Sequence, residues 1–166
     1  GKSTLAYALA PTLPPSPGAI TIRSDLIRKR LLGGDETTRL PPSAYTPEVS
    51  ERVYATMAQL TGEVLRAGYS VVADAVFGEP AHRHQIEAVA QSCGRRITAF
   101  WLEAPQEELL ARVAGRRADA SDATVEVLRH QLETVRAPDS WTRLSASGAP
   151  AHCARLAQNI LNSAAK

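Results

Sequence analysis

The chain opens Gly1-Lys2-Ser3-Thr4-Leu5-Ala6-Tyr7-Ala8-Leu9-Ala10 and meets Pro11 at once. A glycine, a lysine and two hydroxyl residues directly ahead of a helix-forming run are the tail of the pattern G-x-x-x-x-G-K-[ST]. The first turn of a helix presents N–H groups without intrahelical partners and a partial positive charge, so it attracts an anion such as phosphate. In that setting a lysine bridges the outer phosphates of a nucleotide, and the hydroxyl after it ligates Mg²⁺. Four residues alone are also an ordinary polar helix start, so the rest of the chain must decide the fold. The chain begins inside the pattern and without Met. It is therefore expected to be a piece of something longer, with the first loop glycine and the strand leading into it lying upstream.

Outward from that start, β-branched runs alternate with amphipathic stretches. Ala19-Ile20-Thr21-Ile22-Arg23 reads as a strand, residues 26–32 as a short helix ended by Gly33-Gly34, and residues 35–46 as a long polar loop. Thr46 and Pro47 have the chemistry of an N-cap and a first helical position. Beyond them Val49, Val53, Met57, Leu60 and Val64 recur at three- and four-residue spacing, and Gly68 closes the helix. Ser70-Val71-Val72-Ala73-Asp74-Ala75 reads as a buried strand and residues 97–102 as a third, with a helix from Pro80 to Gly94 between them. A helix from Pro105, one capped by Ser121, a short strand at 142–145 and a terminal helix at 150–163 complete the order. Alternation of this kind predicts an α/β fold, a parallel sheet with helices on both faces. Together with Gly1-Lys2-Ser3-Thr4 ahead of the first helix, it is expected to be a three-layer sandwich of the P-loop NTPase type whose first strand is missing from this chain. Residues 1–166 show no internal repeat and read as one domain, with a lid region at about 105–122.

Composition narrows the classes of function. At 166 residues, 44% hydrophobic and 22% charged, the chain is long enough to bury roughly 70% of its unfolded surface. That excludes a disordered tail and a disulfide-stapled miniature. A net charge of +2 is too small to argue for nucleic acid or an anionic membrane, and 5% aromatics leaves no basic–aromatic stacking surface. No apolar run approaches the ~20 residues of a membrane helix. Cys93 and Cys153 have neither framework nor metal-ligand spacing and read as reduced structural thiols, which suggests the cytoplasm. The short apolar run after Lys2 is broken by prolines too early to be a signal peptide.

Ligands of open parallel sheets bind beyond the C-terminal ends of the strands. Asp25 and Asp74 sit at two such ends. Asp25 has two readings, compatible with each other: an N-cap for the helix beginning there, or a carboxylate facing a transferred phosphate that orients or deprotonates an attacking hydroxyl. Arg28, one helical turn on, is either an anchor for an anionic substrate group or a solvated cation. Asp74, alone among Val and Ala, either meets the Mg²⁺ shell or the substrate, or caps an exposed turn before Phe77-Gly78. Arg83 reaches either substrate or only water. Arg112, Arg116 and Arg117 are either a solvated helix end or mobile arginines over a γ-phosphate.

On GKSTLA (1–6), RSDLIRKRL (23–31), VVADAVF (71–77), WLEAP (101–105) and LLARVAGRRADASDAT (109–124), the chain resembles the small P-loop kinases of the AAA_33 and zeta-toxin-like group. These are related to polynucleotide kinase, gluconate kinase and chloramphenicol phosphotransferase. YTPEVSERVY (45–54) and DASDAT (119–124) resemble most the ATP-binding domain found fused behind an aminoglycoside-phosphotransferase-like domain, so such an upstream domain is implied as a partner within the full chain. The resemblance implies ATP and Mg²⁺ as cofactors and transfer of the γ-phosphoryl group to a hydroxyl of a small-molecule acceptor, or of a nucleotide or nucleic-acid end. It implies Gly1, Lys2, Ser3 and Thr4 as the nucleotide cradle, with Lys2 catalytic and Ser3 the metal ligand. It implies Asp25 as general base, Arg28, Asp74 and Arg83 on the substrate side, and Arg112 and Arg116 as lid arginines. A substrate loop like that of gluconate kinase is not recognisable in residues 33–46, and nothing dedicated to a nucleic-acid end is seen beyond Asp25 and Arg28. A regulatory ATP-binding module without its own acceptor is the alternative.

Overall fold

The computed structural model describes residues 1–115 and 125–164. Its regular elements alternate: α1 (Lys2–Leu9), β1 (Ile20–Arg23), α2 (Ser24–Leu31), α3 (Pro47–Arg66), β2 (Val71–Asp74), α4 (Pro80–Ser92), β3 (Phe100–Glu103), α5 (Gln106–Ala114), α6 (Val125–Thr134), β4 (Thr142–Ser145) and α7 (Pro150–Ala164). The expected order of strands and helices is therefore present. Boundaries differ by a few residues, the third strand most, because residues 97–99 lie outside the ladder that starts at Phe100.

All strand pairing among the described residues is parallel, as expected, but the sheet is in two halves. β1 pairs with β2, in the register Ile20↔Val71 to Arg23↔Asp74, and β3 pairs with β4, in the register Phe100↔Thr142 to Glu103↔Ser145. In place of one continuous ladder there is a cavity of about 1910 Å³, lined along its length by β2 and β3. Successive strand residues point to opposite faces. Ile22 joins the core that α3 and α4 build around Val53, Tyr54, Met57 and Ile86, whereas Arg23 reaches Ser3 and Tyr7 of α1 on the other face. That second face carries its own core, Leu5, Leu9, Leu144, Cys153 and Ala157, which joins α1 to α7 and to Phe100 and Leu102 of β3. Burial pushes the Cys153 thiol pKa up.

α3 begins as its sequence predicts: Thr46 Oγ1 accepts from the Val49 N–H at 3.4 Å, and Pro47 holds the first helical position. Its buried surface is wider than a single stripe. Tyr54, Ala58, Thr61 and Leu65 are buried beside Val53 and Met57, while Leu60 and Val64 lie at the edge of the core. The helix packs on β1, β2, α2 and α4 at once, so two rows of side chains turn inward. Gly18 closes the proline-rich loop at φ 133°, where a Cβ would meet the Ala10 carbonyl oxygen at 2.6 Å.

Candidate active site at the start of α1

Gly1 precedes the first turn of α1, and its carbonyl accepts the Leu5 N–H at 3.0 Å. Lys2 and Thr4 are exposed and Ser3 is half-buried, all bordering the mouth of the large cavity. The expected cradle residues Gly1, Lys2, Ser3 and Thr4 thus stand together at a helix start, where N–H groups point outward.

Asp74 is the last residue of β2 and is buried at 8% exposure, which removes the reading of an exposed turn cap. It is not alone there. Arg23, buried at 7%, donates from Nε to Asp74 Oδ2 at 3.2 Å, from Nη2 to Ser3 Oγ at 3.0 Å and from Nη1 to the Tyr7 hydroxyl at 3.4 Å. A buried carboxylate needs a partner of this kind. One guanidinium therefore holds the cradle hydroxyl and the strand-end carboxylate within its own span.

Asp25 lies in the first turn of α2 and is half-buried, lining the same cavity as Gly1–Ser3 and Asp74. The N-cap of that helix is Arg23, so the N-cap reading of Asp25 is corrected. Its carboxylate still benefits from the positive end of the helix. Arg28 is buried and turned to the protein. Nη1 donates to the Ala44 carbonyl at 2.7 Å, Nη2 to Ser50 Oγ at 3.3 Å, and the guanidinium carbon sits 4.8 Å from the Tyr45 ring centre. Arg83 donates from Nη1 to the carbonyls of Phe77 and Gly78 at 2.7 and 2.9 Å, pinning the turn after Asp74. The Phe77 N–H in turn donates to the Tyr54 hydroxyl at 3.1 Å, and Phe77 takes a positive φ of 47°.

Arg112, in the last turn of α5, is ion-paired with Glu108. A smaller cavity of about 210 Å³ is lined by Gly1, Thr4, Arg112 and Gly148, so this arginine borders the cradle. Arg116, Arg117 and most of the outer lid region lie outside the described residues, as does Ser121.

Three contributors carry no role in the sequence reading. Arg23 stands in RSDLIRKRL beside the acid that drew attention, although a cation at a strand end opposite a lone buried acid is the signal for an ion pair. Tyr54 stacks on the buried His82 ring at 3.8 Å and 8°, and His82 meets Glu51 at 2.8 Å. Burial pushes the Tyr54 phenol up, with the Phe77 N–H acting the other way. Nothing in the spacing of residues 54 and 82 announces that contact.

The loop after α2 has its own lock. Asp35 Oδ1 accepts from the N–H and Oγ1 of both Thr37 and Thr38, at 2.7–2.9 Å, which lowers its pKa from 3.8 to about 2. A carboxyl depressed on folding contributes order that is present above its unfolded value and lost as pH falls through its folded one. NMR of the Asp35 carboxyl carbon should therefore titrate near pH 2, and Asp35→Asn should remove the step in loop protection between about pH 4 and 2.

The fold and this helix start define the class: an α/β domain of the P-loop NTPase type, built like the small P-loop kinases. A crystal structure of a sugar kinase from Janibacter sp. HTCC2649 superposes at TM-score 0.70 and 18% identity, covering 98% of this chain and 88% of that one. A gluconokinase from Sinorhizobium meliloti 1021 superposes at TM-score 0.57 and 20% identity, covering 98% and 90%. The chain belongs to the AAA_33 family (AAA domain), whose profile matches residues 1–138. Among curated sequences it is 29% identical over 131 residues to the uncharacterized proteins Rv2004c of Mycobacterium tuberculosis (strain ATCC 25618 / H37Rv) and Mb2027c of Mycobacterium bovis (strain ATCC BAA-935 / AF2122/97). That alignment covers 76% of this chain and 26% of each relative, so the chain spans about a quarter of their length.

Proposed function

We propose that the protein is an ATP-dependent phosphotransferase that moves the γ-phosphoryl group of ATP·Mg²⁺ to a hydroxyl of a small-molecule acceptor. The observation that carries this reading is the meeting of Ser3 and Asp74 through Arg23 at the start of α1, with Asp25 on the wall of the same cavity. Among the described residues there is no cluster of three or more His, Cys, Asp or Glu that could hold a metal ion by itself. Mg²⁺ keeps several waters and takes one or two protein oxygens plus nucleotide phosphates. Ser3 Oγ and the Asp74 carboxylate are hard oxygen donors of that kind, so the site fits the cofactor.

When bound, ATP·Mg²⁺ supplies the transferable phosphoryl group and a cationic clamp on its oxygens. The helix start and Lys2 would hold its phosphates, and Lys2 would stabilise the charge that develops during transfer. Asp25 orients the acceptor hydroxyl and takes its proton. Arg112, paired with Glu108 at the end of α5, would neutralise charge on the transferred phosphoryl group, the role the family resemblance also gives Arg116. Arg28 acts on the acceptor side through the Ala44–Tyr45 wall that it holds, and Arg83 acts through the turn that positions Asp74. The sugar kinase and gluconokinase likeness in fold supports a hydroxylated small molecule. No helix among the described residues is long and apolar enough to cross a membrane.

The cavity between β2 and β3 fits the same proposal. Its natural occupant is a further parallel strand from residues before Gly1, ending in the first half of the phosphate loop. The two half-sheets leave edge backbone groups that a strand would pair, and Gly1 is among the residues that line the cavity. The curated relatives are much longer than the aligned stretch, which is compatible with a further domain in the full chain. Adding the preceding ~20 residues should raise the melting temperature by about 10 °C or more and create ATP binding; an extension that changes neither refutes the assignment. The reading as a whole is tested by incubating the full chain with γ-labelled ATP and a library of hydroxylated compounds. Label on an acceptor supports it, whereas Lys2-dependent ATP binding without any product favours the regulatory module.

A further inference from the structure

We propose that Arg23 is the resting-state counter-cation of the metal site, a positioning residue that must yield when Mg²⁺ arrives and so sets the Mg²⁺ concentration at which nucleotide binds. The inference rests on the phosphotransferase reading, because it takes Ser3 and Asp74 as the oxygens that face the metal.

Register puts Arg23 there. It is the last residue of β1 and is paired with Asp74, the last residue of β2, so the two side chains leave the sheet on one face. That face is the one α1 covers. All three guanidinium nitrogens are used: Nε on Asp74 Oδ2, Nη2 on Ser3 Oγ and Nη1 on the Tyr7 hydroxyl, with the guanidinium carbon 5.6 Å from the Tyr7 ring centre. The charge is withdrawn from water, since Arg23 and Asp74 are 7% and 8% exposed. A buried Asp74 is neutralised in this way before any metal is present.

The same two oxygens are what a Mg²⁺ held by nucleotide would need. Ser3 Oγ has two lone pairs, one already taken by the arginine N–H. A divalent ion brought to that hydroxyl and carboxylate would meet a guanidinium within hydrogen-bond reach of both, and like charges so close repel strongly where water is scarce. Metal entry therefore requires Arg23 to release Ser3, Asp74 or both. The Tyr7 hydroxyl and ring offer a second resting place on the α1 side. A brace that only held the sheet ends together would face no such competition.

The test separates charge from scaffold in the full chain. Arg23→Gln keeps amide donors and removes the charge; Arg23→Lys keeps the charge. Binding of a fluorescent, non-hydrolysable ATP analogue is followed against Mg²⁺, with Mn²⁺ binding by electron paramagnetic resonance as a readout independent of turnover. Arg23→Gln should lower the half-saturating Mg²⁺ concentration at least threefold, and Arg23→Lys should stay within about twofold of the parent. An unchanged or higher Mg²⁺ requirement in Arg23→Gln, or equal shifts in both variants, overturns the role. If Arg23→Gln does not fold, the parent protein decides. Its Arg23 Nε–H resonance should shift and lose exchange protection with Mg²⁺ and analogue together, but not with analogue in chelator; no change overturns the proposal. A parent protein that binds nucleotide with no Mg²⁺ dependence overturns the phosphotransferase reading and this one with it. A Mg²⁺-dependent parent that Arg23→Gln does not alter removes the Arg23 role alone.

Discussion

Asp25→Asn should leave ATP affinity within about twofold and cut phosphoryl transfer by ~10²–10⁴, the usual contribution of a positioned general base. The substitution keeps size and shape but removes the negative charge and with it the ability to take a proton. Asp25 is half-buried in the first turn of α2, on a different element from the helix start that is proposed to hold the phosphates, so ground-state nucleotide binding is expected to suffer little. The turnover number should fall with little change in the Michaelis constant for ATP, the pattern of an interaction made only in the transition state. The check is steady-state kinetics with the best acceptor, beside a direct nucleotide titration. Transfer at the parent rate would remove Asp25 from the chemistry. Equal losses of binding and transfer would instead place its carboxylate in the nucleotide site.

Lys2→Ala should have the opposite signature: nucleotide affinity falls ~10–100-fold, as expected for a lost charge-assisted contact to phosphate, and transfer falls a further ~10²–10³. Folding stability should move by less than about 0.5 kcal/mol, because the residue is exposed. Isothermal titration with the ATP analogue and a thermal melt give the two numbers together. A destabilised protein with normal affinity would mean that Lys2 belongs to the helix and not to a ligand. The two variants together divide the proposed machinery into a part that holds phosphate and a part that activates the acceptor.

Local signals carried much of the architecture. Thr46-Pro47 announced the start of α3, and β-branched runs announced β1 and β2, because caps, helix breakers and strand periodicity are properties of neighbouring residues. The placing of Asp25 and Asp74 followed from knowing where strands end. The arginines were harder. Arg28 and Arg83 carried a substrate reading, yet their guanidinium groups are engaged with the Ala44 carbonyl and with the Phe77 and Gly78 carbonyls. A sequence marks a cation but not the backbone oxygen that will be left without a donor when a loop folds over it. The same holds for Tyr54, whose hydroxyl satisfies the Phe77 N–H.

By itself the amino-acid order determined an α/β chain with Gly-Lys-Ser-Thr directly ahead of a helix and acids at the ends of two strands. These features need only contiguous residues, each helix or strand being set by a few neighbours. Tertiary structure alone decided that the sheet is in two halves around a cavity. It alone brought Arg23 to Ser3 and to Asp74, partners 20 and 51 positions away along the chain. Strand order and side-chain pairing across such separations depend on which faces bury apolar area together and which buried charges find a counter-charge, and no short window of sequence contains both sides of that balance.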